Sequence, residues 1–221
     1  MTEATTGGPV TAGGPAASGG RGVGRAAYDA VILAGGRGAR LGGRDKGALV
    51  VRGRSLLDTA LAAAAGARRI VVVGEAPMPA GVVRTIEEPR YAGPAAAVVA
   101  GLTALQAPPD GAASTAPAPL VLLLACDLPG AVGAVRTLLS GCDPNAPVDG
   151  WCLTEPPTRM QWLVGIYRTV ALRRAVEALG DPVNRSMGRL LGPLSIVGLP
   201  APDRLTGDID TPDDLARWDL T

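Results

Sequence analysis

The run Leu33-Ala34-Gly35-Gly36-Arg37-Gly38-Ala39-Arg40-Leu41-Gly42-Gly43-Arg44-Asp45-Lys46 combines the residue types that a polyphosphate requires. Glycines let the backbone approach a ligand closely and turn its amides inward as an anion nest. Arg40 and Lys46 add positive charge, with Arg37 and Arg44 beside them. Lys46 is the sole lysine in a chain with twenty arginines. Either the position selects a compact ammonium, which a planar guanidinium does not replace, or the lysine is a survivor of arginine bias. Two familiar phosphate loops fail here. Lys46 is followed by Gly47 rather than Ser or Thr, and the G-x-G-x-x-G pattern that starts at Gly36 breaks at Leu41.

Asp127 leaves the most apolar run of the chain, residues 120–125, through Cys126. A carboxylate emerging from a central strand can hold a metal, and magnesium takes few protein oxygens beside those of phosphate and water. The same Asp could instead cap a helix predicted over 131–139. Glu87 and Glu88 close a weaker strand, and Gly93-Pro94 opens a helix whose N-terminus suits a base or phosphates. Asp208, Asp210, Thr211, Asp213 and Asp214 precede or open a last short helix, where Thr211 is the expected cap and carboxylates suit the positive end of the helix dipole.

Composition narrows the chemistry. The chain has no histidine, which excludes a Ser-His-Asp triad, a Cys-His pair and imidazole metal ligands. Cys126, Cys142 and Cys152 include no CxxC pair and make an odd count, so neither a zinc knuckle nor a disulfide framework is expected. A net charge of +1 argues against nucleic acid as the main partner. The N-terminus has no apolar signal core and no apolar run reaches membrane-spanning length, so the expected location is the cytoplasm, without membrane contact.

The elements that must position these residues alternate. Strands are predicted over 29–34, 69–73, 82–87, 119–126, 151–154, 160–167 and 194–199, and helices over 55–66, 94–105, 131–139, 169–179, 185–191 and 212–218. Residues 1–27 are a Gly/Ala/Pro-rich tail expected to be disordered, and 28–221 form one domain with a flexible insert near 106–119. Apolar strands alternating with helices predict an α/β fold, a Rossmann-like doubly wound and mainly parallel sheet. Ligands of such sheets bind beyond the strands' carboxyl ends, and the three segments after Leu33, Ile86 and Ala125 all fall there.

The loop as written, Leu33-Ala34-Gly35-Gly36, Arg40, Leu41, Gly42-Gly43, Asp45, Lys46, resembles the signature LAGG-x-x-x-R-[ML]-G-G-x-D-K of the molybdenum cofactor guanylyltransferase family, of MobA type, over roughly residues 29–219. The resemblance implies a nucleotidyltransferase fold. It also implies transfer of GMP from GTP to the phosphate of molybdopterin or its molybdenum-loaded form, with release of pyrophosphate. Leu33, Ala34, Gly35, Gly36, Arg40 and Lys46 would then hold the nucleotide, and Cys126-Asp127-Leu128-Pro129 matches the family's C-D-x-P, whose Asp binds magnesium and nucleotide. Glu88 aligns with a usual acidic nucleotide contact, or is a solvated turn residue. Gly93-Pro94-Ala95-Ala96-Ala97 is similar to G-P-[LA]-A-G, and Asp208-Ile209-Asp210-Thr211-Pro212 to the family's N-[VI]-[ND]-T-P ending, with Asp208 a second magnesium contact or part of a cap cluster.

On the acceptor side the resemblance reaches residues 159–163 and 184–187, with Trp162 where the family often has Pro, and Arg159 and Arg185 as candidates for an acceptor phosphate. It implies a phosphorylated pterin as acceptor and other cofactor-biosynthesis proteins as partners. The Leu-Ala-Gly-Gly form with Asp45 before Lys46 goes with guanine; related cytidylyltransferases carry Ala-Ala-Gly and Pro-Lys. The alternatives are CTP with the same pterin, a sugar phosphate acceptor, or a nucleotide-binding regulator that has lost transfer.

Overall fold

Apolar runs without alternation make the centre of the sheet. In the computed structural model, which describes residues 26–35, 46–107, 116–155 and 159–219, β1 (Tyr28–Leu33) lies in parallel between β4 (Ile70–Val73) and β6 (Leu120–Ala125). Every residue of β1 is buried, because helices cover both faces of the sheet. The remaining strands are β5 (Val82–Thr85), β7 (Gly150–Glu155), β8 (Arg159–Arg168) and β9 (Ile196–Pro200). The seven strands run in the order β5-β4-β1-β6-β8-β7-β9. The mainly parallel sheet expected from the sequence is present, with β8 antiparallel to both its neighbours.

Alternate residues of the strands feed two apolar layers. Tyr28, Ala30 and Ile32 pack with α1 (Leu56–Ala63) and α3 (Ala131–Gly141) on one face. Val31 and Leu33 pack with α2 (Pro94–Ala104), α4 (Thr169–Leu179) and α5 (Met187–Leu191) on the other. At Gly101 of α2, a Cβ would lie 2.3 Å from Val31 Cγ1, so glycine is what lets this helix sit down on β1.

A third, smaller cluster has Leu49, Val51, Leu56 and Ile209 at its centre, covered by Leu215 and Trp218 of α7 (Pro212–Asp219). It includes a hairpin, β2 (Val50–Val51) with β3 (Arg54–Ser55), that the apolar pattern does not announce. A four-residue helix, α6 (Asp203–Thr206), is likewise too short for periodicity to reveal. The helix expected from 185 starts at Met187, because Ser186 accepts the Arg189 N–H as its cap. Residues 1–25 of the expected tail and 108–115 of the expected insert lie outside the described residues. Among the described residues no helix is long and apolar enough to cross a membrane.

Candidate functional site

Parallel pairing brings the carboxyl ends of β5, β4, β1 and β6 to one edge of the sheet. Their exits are tied together. Ala34 N–H donates to Val73 O at 2.8 Å and Cys126 N–H to Leu33 O at 3.0 Å. The segment after β1 and the C-D segment after β6 therefore start side by side. Of the glycine run, Leu33, Ala34, Gly35 and Lys46 fall within the described residues. Gly36, Arg37, Arg40, Arg44 and Asp45 lie outside them.

Lys46 begins a short 3-10 turn (Lys46–Ala48). Its Nζ donates to Asp127 Oδ2 at 3.0 Å and to Asp210 Oδ1. Burial works against its charge, but the hydrogen bond to Asp210 and the charge and hydrogen bond of Asp127 outweigh it, so its pKa stands above the ordinary lysine value of 10.5. Asp127 makes no cap for α3, whose N-cap is Gly130 without a side-chain bond. Its carbonyl instead accepts the Ile209 N–H at 3.0 Å, fastening the C-terminal segment to the exit of β6. Ile209 is fully buried in the third cluster. Its flanking residues, Asp208 and Asp210, join Asp127 in a group whose carboxylate oxygens lie within 4.8 Å of one another.

Burial, then the charges of Asp127 and Asp210, raise the Asp208 carboxyl pKa above its ordinary value. A hard divalent cation fits this donor set, because three carboxylate oxygens converge and the Lys46 ammonium bonds only two of them. Beside Asp127, Asp208 is the metal candidate that the sequence offers, with membership of a cap cluster as its alternative. Asp210 joins it unannounced, although a signal exists: residues i and i+2 flanking a buried Ile on extended backbone tend to share a side.

Two clefts meet at Asp127. The first, about 300 Å³, is lined by Leu33, Gly35, Lys46, Glu87, Tyr91, Gly93, Pro94, Ala97, Ala125, Cys126, Asp127 and Leu163. Gly93 holds φ 95° at the N-cap of α2, a conformation that suits glycine. Of the paired glutamates, Glu87 lines this cleft and Glu88 is exposed outside the lining. The chain turns Glu87 inward as it leaves β5, and its Oε1 accepts the Tyr91 N–H at 3.1 Å.

The second cleft, about 500 Å³, is lined by Ala125, Asp127, Leu128, Arg159, Met160, Gln161, Trp162, Leu163, Val164, Met187, Thr206 and Asp208. The expected acceptor segment 159–163 thus borders the carboxylates. Arg185 is exposed and outside both linings.

A two-cleft site around a lysine and a carboxylate cluster, at the carboxyl edge of such a sheet, invites comparison with nucleotide-using enzymes. The family model of the MobA-like NTP transferase domain matches residues 30–195. The chain belongs to the MobA-like NTP transferase family. As a MobA-like domain it is a nucleotidyltransferase. A molybdenum cofactor guanylyltransferase of Acidiphilium cryptum (strain JF-5) is 44% identical over 79 residues, a match that spans 33% of this chain and 40% of that relative. The molybdopterin-guanine dinucleotide biosynthesis protein A of Archaeoglobus fulgidus has a TM-score of 0.60 at 18% identity, covering 87% of this chain and 97% of that one. The 2-C-methyl-D-erythritol 4-phosphate cytidylyltransferase of Thermus thermophilus gives 0.58 at 21%, covering 88% and 98%. At such identities the two structures establish the fold of the MobA-like domain.

Proposed function

We propose that this enzyme transfers GMP from GTP to the terminal phosphate of molybdopterin or its molybdenum-loaded form, in the cytoplasm, with magnesium as its metal. The observation that carries the reading is the meeting of two clefts at one carboxylate cluster. The first cleft contains Lys46 and suits the triphosphate. The second contains Trp162, Met160 and Met187, a surface on which a flat pterin can stack. The guanylyltransferase named for the A. cryptum relative and the Leu-Ala-Gly-Gly loop support guanine and the pterin acceptor.

The chemistry needs little from the chain beyond placement. The attacking acceptor phosphate is already an anion, so a chain without histidine lacks nothing for proton abstraction. Lys46 and Arg40 would supply positive charge to the phosphates. Arg159 stands at the rim of the second cleft to meet the acceptor phosphate. Asp127, Asp208 and Asp210 would hold magnesium. Bound there, it would supply Lewis-acid neutralisation of phosphate charge. The separate clefts align nucleophile and α-phosphorus, which turns a bimolecular encounter into a positioned one.

The test is pyrophosphate release from GTP or CTP mixed with molybdopterin and magnesium. GTP should be favoured on the order of a hundredfold in kcat/KM, because a polar site built for one base edge leaves its groups unpaired against another. Equal use of the two, or a preference for CTP, overturns the guanylyl assignment. No pyrophosphate with either overturns the acceptor.

A further inference from the structure

Glu87 is 7% exposed and has one carboxylate oxygen bonded within the chain. Its Oε1 accepts the Tyr91 N–H, and among the described residues Oε2 has no hydrogen-bond partner. Oε2 is not fully enclosed, and Glu87 lines the first cleft, so this oxygen opens onto it. A largely buried carboxylate oxygen without a protein partner is costly, and one kept at a ligand site finds its partner in the ligand. The cleft lining is mostly apolar, with Leu33, Pro94, Ala97 and Leu163 beside the charged Lys46 and Asp127. An ideal Cβ on Gly35 would lie 3.9 Å from Glu87 Oε1, so the carboxylate lies beside the backbone just past β1.

We infer that the Glu87 carboxylate reads the nucleobase, accepting the paired N1–H and N2–H donors of guanine. This rests on the guanylyltransferase reading and adds to it the residue that selects the base. Each carboxylate oxygen has two lone pairs, so Oε1 can serve Tyr91 and a base N–H together. Guanine presents two adjacent N–H donors on one edge. Cytosine and adenine place a ring nitrogen lone pair beside their amino group, and that lone pair would face the carboxylate. Charge-assisted hydrogen bonds of this kind are the stronger class, which makes the discrimination large. The vicinal hydroxyls of ribose are the other source of paired donors on a nucleotide, and 2′-deoxy-GTP separates the two.

The test measures equilibrium binding of GTP, ITP, XTP, CTP and 2′-deoxy-GTP to the full chain with magnesium. Inosine lacks the N2 amino group, so wild type should bind GTP over ITP on the order of tenfold or more. Equal binding overturns the inference with no variant needed. Glu87→Gln keeps a carbonyl oxygen for the Tyr91 N–H and offers an amide N–H2 in place of the second oxygen. Xanthine carries a carbonyl where guanine has its amino group, so the XTP-to-GTP affinity ratio should rise on the order of tenfold or more in this variant. A misfolded protein cannot produce that gain. An unchanged XTP-to-GTP ratio overturns the inference, as does a loss in the variant of discrimination against 2′-deoxy-GTP, which assigns the carboxylate to ribose. Wild type that favours CTP instead overturns the guanylyl reading itself, whatever the variant does.

Discussion

Lys46 connects two carboxylates that lie 81 and 164 residues away in sequence, and its ammonium suits that geometry because three donors radiate from one small atom. Lys46→Ala should lower kcat/KM for the triphosphate at least tenfold, about 1.4 kcal/mol. Lys46→Arg should be impaired as well, since a planar fork does not fit between Asp127 and Asp210 as an ammonium does. Steady-state kinetics checks both, and full activity in the arginine variant would show that charge alone matters. At this scale the sequence is informative where chemistry is rare. A single lysine and an aspartate leaving the most apolar strand stand out unaided. Glu87 does not, because the two glutamates are adjacent and one residue's difference at a strand exit exchanges cleft for solvent. Asp210 is hidden by its neighbours, which read as helix-capping residues.

The capping reading holds for those neighbours, and it explains how α7 keeps Asp210 in place. Thr211 Oγ1 accepts the Asp214 N–H at 3.2 Å, and Asp214 Oδ2 accepts the Thr211 N–H at 3.0 Å and the Asp210 N–H at 3.3 Å. Thr211→Ala should cost about 1 kcal/mol, a fall in Tm of about 2–4 °C for a domain of this size. The hydrogen bond that the Thr211 hydroxyl donates to Asp214 Oδ2 at 2.7 Å is the leading cause that holds the Asp214 carboxyl below its ordinary pKa. A carboxyl lowered in this way contributes stability above its unfolded value of about 3.9, and that contribution is lost as the pH falls through the folded value. The gap between wild type and Asp214→Asn in thermal melts should therefore be present at pH 7 and close at acid pH. Other elements are less legible. Strand existence follows from apolar runs, but the reversal of β8 does not, since a strand buried on both faces looks the same in either direction. The β2–β3 hairpin turns through Arg52 and Gly53 at φ 50° and 77°, without the Asn-Gly or Asp-Gly pair that announces such a turn in sequence.

The whole molecule folds so that three distant stretches meet at one charge-crowded point: Lys46 after β1, Asp127 after β6, and Asp208 with Asp210 before α7. Among the described residues one ammonium faces three carboxylates there, and desolvation together with the charges of Asp127 and Asp210 raises the Asp208 pKa. A carboxyl whose folded pKa is raised contributes stability below its unfolded value and loses it as the pH rises through the folded one, so at neutral pH the penalty is in force. Asp208→Asn should then raise the melting temperature of the metal-free protein. The Asp208 carboxyl is crowded by the surrounding chain but still reached by solvent, which screens it, so the gain stays below about 1 kcal/mol, or about 2–4 °C at most. Magnesium should stabilise wild type by mass action, about 2.7 kcal/mol at a hundredfold excess over Kd, and should do so less in the variant, which has lost a ligand. Thermal melts with chelator and with a magnesium titration read both effects. The two shifts must have opposite signs, because the repulsion that weakens the metal-free fold is the attraction that binds the cation. A variant that melts lower without metal, or that gains as much from magnesium as wild type, would show that these carboxylates do not form a metal site held together at the expense of the fold.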